Sequence, residues 1–298
     1  MRACLRTPDS RFANLPDYDF TPHYADIDGM RMHYVDVGPR GGIAILLLHG
    51  EPSWSYLYRH MIPPLRDAGY RVIAPDLIGF GKSDKPIRKS DYSYAGHVAW
   101  MRSFIESLDL TGITLFCQDW GSLIGLRVAA ENEHRFSRIM LGNGGLPTGD
   151  EDFPRVFKVW RAFARFSPWF PISRILQSGT VKKLSDGELA AYDAPFPSSR
   201  YKVGARTFPM LVPTKPDNPA SDANRLAWKT FADWNKPFLT TFSNRDPITR
   251  GGHLPWQETV HGAKDQDHTI IRNASHFLQE DKGEELAEII KRFIARGT

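Results

Sequence analysis

Apolar and polar positions follow two different periods along this chain. Tyr24–Ile27 and Met30–Val37 are short alternating runs joined by Asp28-Gly29, a dipeptide suited to a two-residue hairpin. Largely apolar runs follow at Ile43–Leu48, Tyr70–Ala74, Ile113–Cys117 and Phe136–Leu141, as expected of strands covered on both faces. Between them lie stretches with helical spacing. One begins near Ser55 and passes Leu57 and Met61 to Pro63-Pro64 or slightly beyond; the others are Tyr94–Leu108 and Leu123–Ala130. Strands alternating with helices predict an α/β fold with a mostly parallel, doubly wound sheet.

The pattern changes at Thr148. As far as Pro219 there is no strong strand signal, only aromatic-rich helical pieces at Phe153–Phe166 and Pro171–Leu176 and a Pro-rich stretch from Ala194 to Pro219. This predicts a helical cap, 148–219, inserted into a core made of 1–147 and 220–298. The sheet is expected to resume with Pro237–Ser243 and Asp267–Ile271, and Gly283–Arg296 is expected to be the closing helix.

Composition narrows the field without changing this picture. A chain of 298 residues with 41% hydrophobic and 24% charged content can bury a sizeable core in one soluble domain. The net charge of +4 is spread along the chain, so neither a nucleic-acid surface nor a polybasic membrane patch is expected. The N-terminus has no continuous apolar stretch of the secretory type, and Ile43–Leu48 is far too short to span a bilayer. Two cysteines, Cys4 and Cys117, make no disulfide framework. A cytoplasmic, monomeric protein is expected. There is no metal-ligand cluster and no phosphate-cradling Gly-rich loop, so no cofactor is implied.

Chemistry enters at Ile113–Gly125. An apolar run ends abruptly at Gln118-Asp119-Trp120-Gly121 and passes straight into an amphipathic run. This is how a buried strand turns sharply into a helix with one side chain held up at the corner, the arrangement that α/β-hydrolases build around a nucleophile. Cys117 and Gly121 stand two before and two after Asp119, where larger side chains would crowd the turn. Asp119 could instead simply cap the following helix. Two further residues decide between these readings. Asp246 and His276 each follow a predicted strand, and the order Asp119, Asp246, His276 is that of nucleophile, acid and histidine in an α/β-hydrolase triad. His60, His97 and His134 have no comparable position. Ser122 lies one step past the corner and is not a rival nucleophile.

His49-Gly50-Glu51-Pro52-Ser53-Trp54, Asp76 to Pro86 (Asp-Leu-Ile-Gly-Phe-Gly-Lys-Ser-Asp-Lys-Pro) and Gln118-Asp119-Trp120-Gly121 resemble the haloalkane dehalogenases. So do Ala191–Pro197 and Arg206–Pro209 within the cap. The His-Gly-x-Pro and Asp-Trp-Gly pieces are shared with epoxide hydrolases, whereas Gln118 and Glu51 favour dehalogenases, in particular the subfamily whose second halide donor is a cap tryptophan. The resemblance implies a small haloalkane substrate, released as halide and primary alcohol. It implies Trp120 as first halide donor and a cap tryptophan as second, for which Trp160 fits better than Trp169.

A carboxylate nucleophile suits this chemistry. Serine would leave an ether after displacing halide from an sp³ carbon, whereas Asp leaves an ester whose acyl carbon water can attack. His276 would activate that water, with Asp246 orienting the imidazole. The backbone N–H groups of Glu51 and Trp120 would form the oxyanion hole, and the Glu51 side chain is a candidate for holding the water. Phe153, Phe157, Phe163 and Phe196 are candidate pocket walls. The rival, an epoxide hydrolase, would need cap tyrosines as acids, and Tyr192 and Tyr201 are available. A catalytically dead binding module is the remaining alternative.

Overall fold

The computed structural model describes residues 2–296. In chain order its strands are β1 (Cys4–Leu5), β2 (His23–Ile27), β3 (Met30–Val37), β4 (Ala44–Leu48), β5 (Arg71–Pro75), β6 (Lys85–Pro86), β7 (Ile113–Gln118), β8 (Phe136–Gly142), β9 (Phe238–Ser243) and β10 (Thr269–Ile271). Its α-helices are α1 (Ile62–Asp67), α2 (Tyr94–Ser107), α3 (Trp120–Glu131), α4 (Arg155–Phe166), α5 (Ile172–Ser178), α6 (Asp186–Asp193), α7 (Val203–Leu211), α8 (Ser221–Ala232), α9 (Leu254–Thr259) and α10 (Leu278–Ala295). No described helix is long and apolar enough to cross a membrane.

The main sheet has the order β10-β9-β8-β7-β4-β5-β3-β2. Every pairing from β10 to β5 is parallel, and the edge strands β3 and β2 are antiparallel. Asp28 and Gly29 both take positive φ, 56° and 73°, which sets Ile27 opposite Met30 in a tight hairpin. Every residue of β4 and β7 is buried, as their unbroken apolar character requires. The chain leaves β4 for β5 on one side and later returns to β7 on the other. The crevice between the carboxyl ends of β4 and β7 is therefore a topological switch point, where such sheets bind ligands.

Several elements differ from the sequence pattern. Pro63 and Pro64 do not end a helix that began at Ser55; residues Ser55–Tyr58 form a single 3₁₀ turn, and the prolines open α1, where their missing N–H groups cost nothing. The Pro-rich stretch 194–219 is not irregular throughout, since it contains α7 with Pro209 inside the helix. Packing outweighs the broken backbone bond there: Phe208, the neighbour of that proline, sits against Phe80, His97 and Trp120. The helix α6 starts with a reciprocal capping box between Ser185 and Glu188. Helix α8 intervenes before the sheet resumes.

A buried charge cluster ties α6 and α10 to the turn after β4. Arg59 is fully enclosed and donates to both oxygens of Glu280 and, at 2.7 Å, to Glu188. The Tyr192 hydroxyl donates to the same Glu280. His60, Glu188 and Glu280 are near enough to suggest a cation site, but the Arg59 guanidinium already fills that position.

Candidate active site

Asp119 sits at the corner between β7 and α3 with φ 47° and ψ −127°, a conformation that non-glycine residues adopt only under constraint. The constraint comes from close packing beneath it. A Cβ on Gly121 would lie 1.9 Å from the Leu48 carbonyl oxygen, and one on Gly50 would lie 2.4 Å from the Asp119 side chain. Although Asp119 occupies the N-cap position of α3, its side chain makes no capping bond. Its Oδ1 instead accepts the backbone N–H of Glu51 at 2.7 Å. The helix-cap reading of Asp119 therefore fails on geometry. Of the two expected oxyanion donors, Glu51 N–H is bonded to this carboxylate and Trp120 N–H is not. The turn bearing Glu51 is held by His49, whose Nδ1 faces the Gly50 carbonyl at 2.9 Å and whose Nε2 accepts Leu77 N–H at 3.0 Å. Burial lowers the pKa of His49, and this bonding pattern is that of a neutral ring.

The structure brings the other two predicted residues to the same place. His276 Nε2 lies 3.5 Å from Asp119 Oδ2, and its Nδ1 lies 3.0 Å from Asp246 Oδ2. Asp246 is fully buried; its Oδ1 accepts Ile248 N–H at 2.8 Å, and its Oδ2 accepts the Thr249 hydroxyl as well. Burial pushes Asp246 up, but His276 and these donors outweigh it and hold the carboxyl below its ordinary value. Burial pulls His276 down, yet Asp246 and Asp119 together raise it to about 10. Glu51 is pushed well above the usual carboxylate range, first by burial and then by the charge of Asp119.

Asp119 and His276 open into a cavity of about 700 Å³. Its lining includes Trp120, Trp160, Phe153, Phe157 and Phe163, with Trp228 and Trp256 on a further wall. Among the described residues, neither the Trp120 nor the Trp160 indole N–H has an acceptor, whereas Trp54 and Trp228 donate theirs to backbone carbonyls. Trp169 does not line the cavity; it is 61% exposed on the surface under the Arg174 guanidinium. Phe196 is not a pocket wall, because it is buried against Phe80 outside the lining. Among the described residues no tyrosine lines the cavity. Tyr192 is committed to Glu280, and Tyr201 lies outside the lining.

A family model described as alpha/beta hydrolase fold matches residues 43–283. A haloalkane dehalogenase of Psychrobacter cryohalolentis is 56% identical over 295 residues, 97% of each chain. One of Mycolicibacterium paratuberculosis is 57% identical over 291 residues, 96% of each. The chain belongs to the haloalkane dehalogenase family. Among solved structures, the haloalkane dehalogenase DpaA of Paraglaciecola agarilytica, described as tetrameric, superimposes on this dehalogenase with a TM-score of 0.88. The two are 35% identical, and the match covers 96% of this chain and 97% of the other. DbeA of Bradyrhizobium elkani gives 0.79 at 25% identity, covering 93% and 100%.

Sequence reasoning missed the residue that joins the strand ends of this dehalogenase. Asn143, buried at the end of β8 with φ 29°, accepts Ser243 N–H and donates to the carbonyls of Ser275 and His276. Its own carbonyl accepts Asp119 N–H at 3.1 Å. The Asp119 corner and the loop carrying His276 are thus hung from one residue, the first by its backbone carbonyl and the second by its side chain. The signal was its place just after a buried strand, beside a glycine. Ser122 also has a structural part: its hydroxyl donates to the carbonyls of Asp119 and Gly145 and accepts Gly145 N–H.

Proposed function

We propose that this dehalogenase hydrolyses terminal haloalkanes to a primary alcohol and halide through an alkyl ester at Asp119. The observation that carries the reading is a cavity that holds the Asp119 carboxylate together with the indoles of Trp120, the next residue, and Trp160, both N–H groups without protein acceptors, and that no described tyrosine lines. An Asp119 oxygen attacks the halogen-bearing carbon, the C–O bond forms as the C–X bond breaks, and the electron pair leaves with the halide. A halide needs no proton, only donors in a dry pocket, and indole N–H groups donate without accepting. Trp120 and Trp160 take that role; Trp169 faces away. The cap is the segment 148–219, which supplies Trp160, Phe153, Phe157 and Phe163.

The second step reverses the electrostatics at His276. While Asp119 is a carboxylate it holds a proton on the imidazole. Esterification removes that charge, the pKa of His276 falls, its Nε2 proton passes to solvent, and Nε2 becomes available as a base. It takes a proton from water, whose oxygen attacks the Asp119 carbonyl carbon. The Glu51 and Trp120 N–H groups stabilise the oxyanion, and the Glu51 side chain at the cavity wall holds the water. Collapse expels the alkoxide, which takes the proton from His276, and the Asp119 carboxyl left behind gives its own proton to the freed imidazole, restoring carboxylate and imidazolium. Asp246 stays ionised throughout and keeps Nδ1 protonated.

The free thiols of Cys4 and Cys117 support a reducing compartment such as the cytoplasm. The deciding assay is halide release from a small terminal bromoalkane, with an epoxide as control. Release is expected to vanish in Asp119→Asn and to fall in Trp160→Phe by roughly 10- to 100-fold, the worth of one charge-assisted hydrogen bond. Undiminished release in Trp160→Phe would take the halide role away from this tryptophan. Diol from the epoxide with no halide release would sink the whole reading.

A further inference from the structure

Gln118 ends β7 and enters none of the steps above, yet its buried side chain reaches the base. Its Nε2 lies 3.1 Å from the His276 backbone carbonyl oxygen and 3.2 Å from His276 Nε2. A carbonyl only accepts, so it fixes the amide with nitrogen facing the histidine loop, and one hydrogen of the NH₂ goes there. The second hydrogen is directed at the imidazole. The amide oxygen faces away, 3.5 Å from Gln279 Nε2. An N–H aimed at Nε2 is favourable only while that nitrogen carries a lone pair; against Nε2–H it sets donor against donor.

We propose that Gln118 is a positioning residue that holds His276 as the neutral base during ester hydrolysis by donating its amide N–H to Nε2. This rests on the mechanism above and deepens it. Asp246 faces Nδ1, Asp119 faces Nε2 and Glu51 lines the same cavity beside Asp119, and each favours imidazolium when ionised. Burial and the Gln118 amide act in the other direction. Loss of the Asp119 charge on esterification leaves Asp246 pulling at Nδ1, and Gln118 opposes it at the nitrogen that must accept a proton. At 3.2 Å the contact is weak, so an incoming water displaces it from the lone pair while the amide keeps its bond to the carbonyl.

The test compares wild type, Gln118→Met (similar length, no donor) and Gln118→Glu (an acceptor in place of the donor). Rapid mixing with a terminal bromoalkane, across the pH range in which the histidine titrates, follows the halide burst and the decay of the alkyl-enzyme by mass spectrometry. In Gln118→Met the acid limb of hydrolysis is expected to move up by about one pH unit, so that hydrolysis below the limb slows about 10-fold. The burst is expected to stay, and Gln118→Glu to shift the limb further in the same direction. Burst amplitude counts folded sites, so partial misfolding lowers it without moving the limb. A limb unmoved in both variants, or burst and hydrolysis falling together at every pH, would overturn the inference. Absence of any halide release by wild type would instead remove the dehalogenation reading on which it stands.

Discussion

Replacing Asp246 by Asn isolates the second chemical step, and the local bonding sets the size of the effect. In the native site Oδ1 accepts Ile248 N–H at 2.8 Å, while Oδ2 accepts both the Thr249 hydroxyl and His276 Nδ1–H. Asparagine has one oxygen and one NH₂. Because Ile248 N–H only donates, the oxygen belongs at the Oδ1 position and the NH₂ turns to His276. The imidazole must then present a lone pair at Nδ1 and carry its hydrogen on Nε2, where it takes no proton from water. Flipping the amide restores the tautomer but sets NH₂ against Ile248 N–H, at a cost of roughly 1–3 kcal/mol for the unpaired buried donor. The productive form then falls to between about one in five and one in 150 molecules. Loss of the charge that stabilises imidazolium adds further, so ester hydrolysis should slow by roughly 10- to 1,000-fold. Alkylation asks nothing of Nδ1, so the halide burst should persist and the alkyl group should accumulate on Asp119. Rapid quench with intact-mass and peptide-mass analysis reads both. Turnover within about twofold of wild type would refute the tautomer argument, since even the smallest flip cost predicts a larger loss. Loss of the burst in folded protein would show that Asp246 serves the first step.

Two further outcomes follow from buried charge. Arg59→Met leaves Glu280 enclosed with only Tyr192 as a neutral donor, and should cost about 3–5 kcal/mol in denaturant unfolding; adding Glu280→Gln should recover part of that loss, and a double variant no better than the single one would contradict it. The second concerns pH: His276 is raised from 6.5 to about 10 in the folded state, so the stability it contributes is full below about pH 6.5 and is lost as pH rises towards 10. Unfolding free energy should therefore decline across that window by a few kcal/mol, and the decline should flatten in Asp246→Asn; an equally steep decline in the variant would count against the ion pair as its source.

The elements legible in the sequence are those whose own residues determine them. The strands β4 and β7 are apolar runs too short for helices, and Asp28-Gly29 fixes a hairpin wherever it falls between alternating strands. The corner at Asp119 is visible because close approach of Leu48 forbids a side chain at Gly121. What stayed hidden depends on partners distant in the chain. Helix α7 carries a proline among flanking prolines and exists because Phe208 packs into the core. Helix α6 had its capping box, Ser185 with Glu188, but little amphipathic pattern behind it. Whether Phe196 or Phe163 faces the cavity is decided by how the cap lies on the sheet, and both look alike as aromatic residues in aromatic-rich segments. Asn143 looks like a turn residue until the segments ending β7, β9 and β10 converge on it.

In the proposed mechanism, the placement of Asp119, Asp246 and His276 explains how one histidine is inert first and basic later. Asp119, Asp246 and His276 follow three different strands, β7, β9 and β10, so no shared backbone forces them to move together. Asp246 is locked by Ile248 and Thr249; Asp119 is held by Glu51 N–H on one oxygen, and its other oxygen, the one proposed to bond carbon, faces His276 Nε2 at 3.5 Å. The charge around His276 is therefore consumed from one side alone. On the proposed mechanism, two carboxylates keep it protonated before alkylation; afterwards one carboxylate would remain, and the proton balance at Nε2 would pass to the Gln118 amide and a water. A serine at the corner would give no such signal, because its hydroxyl is uncharged before and after it forms a bond. A carboxylate nucleophile at Asp119 would thus supply both the hydrolysable ester and the charge change that turns on its own base.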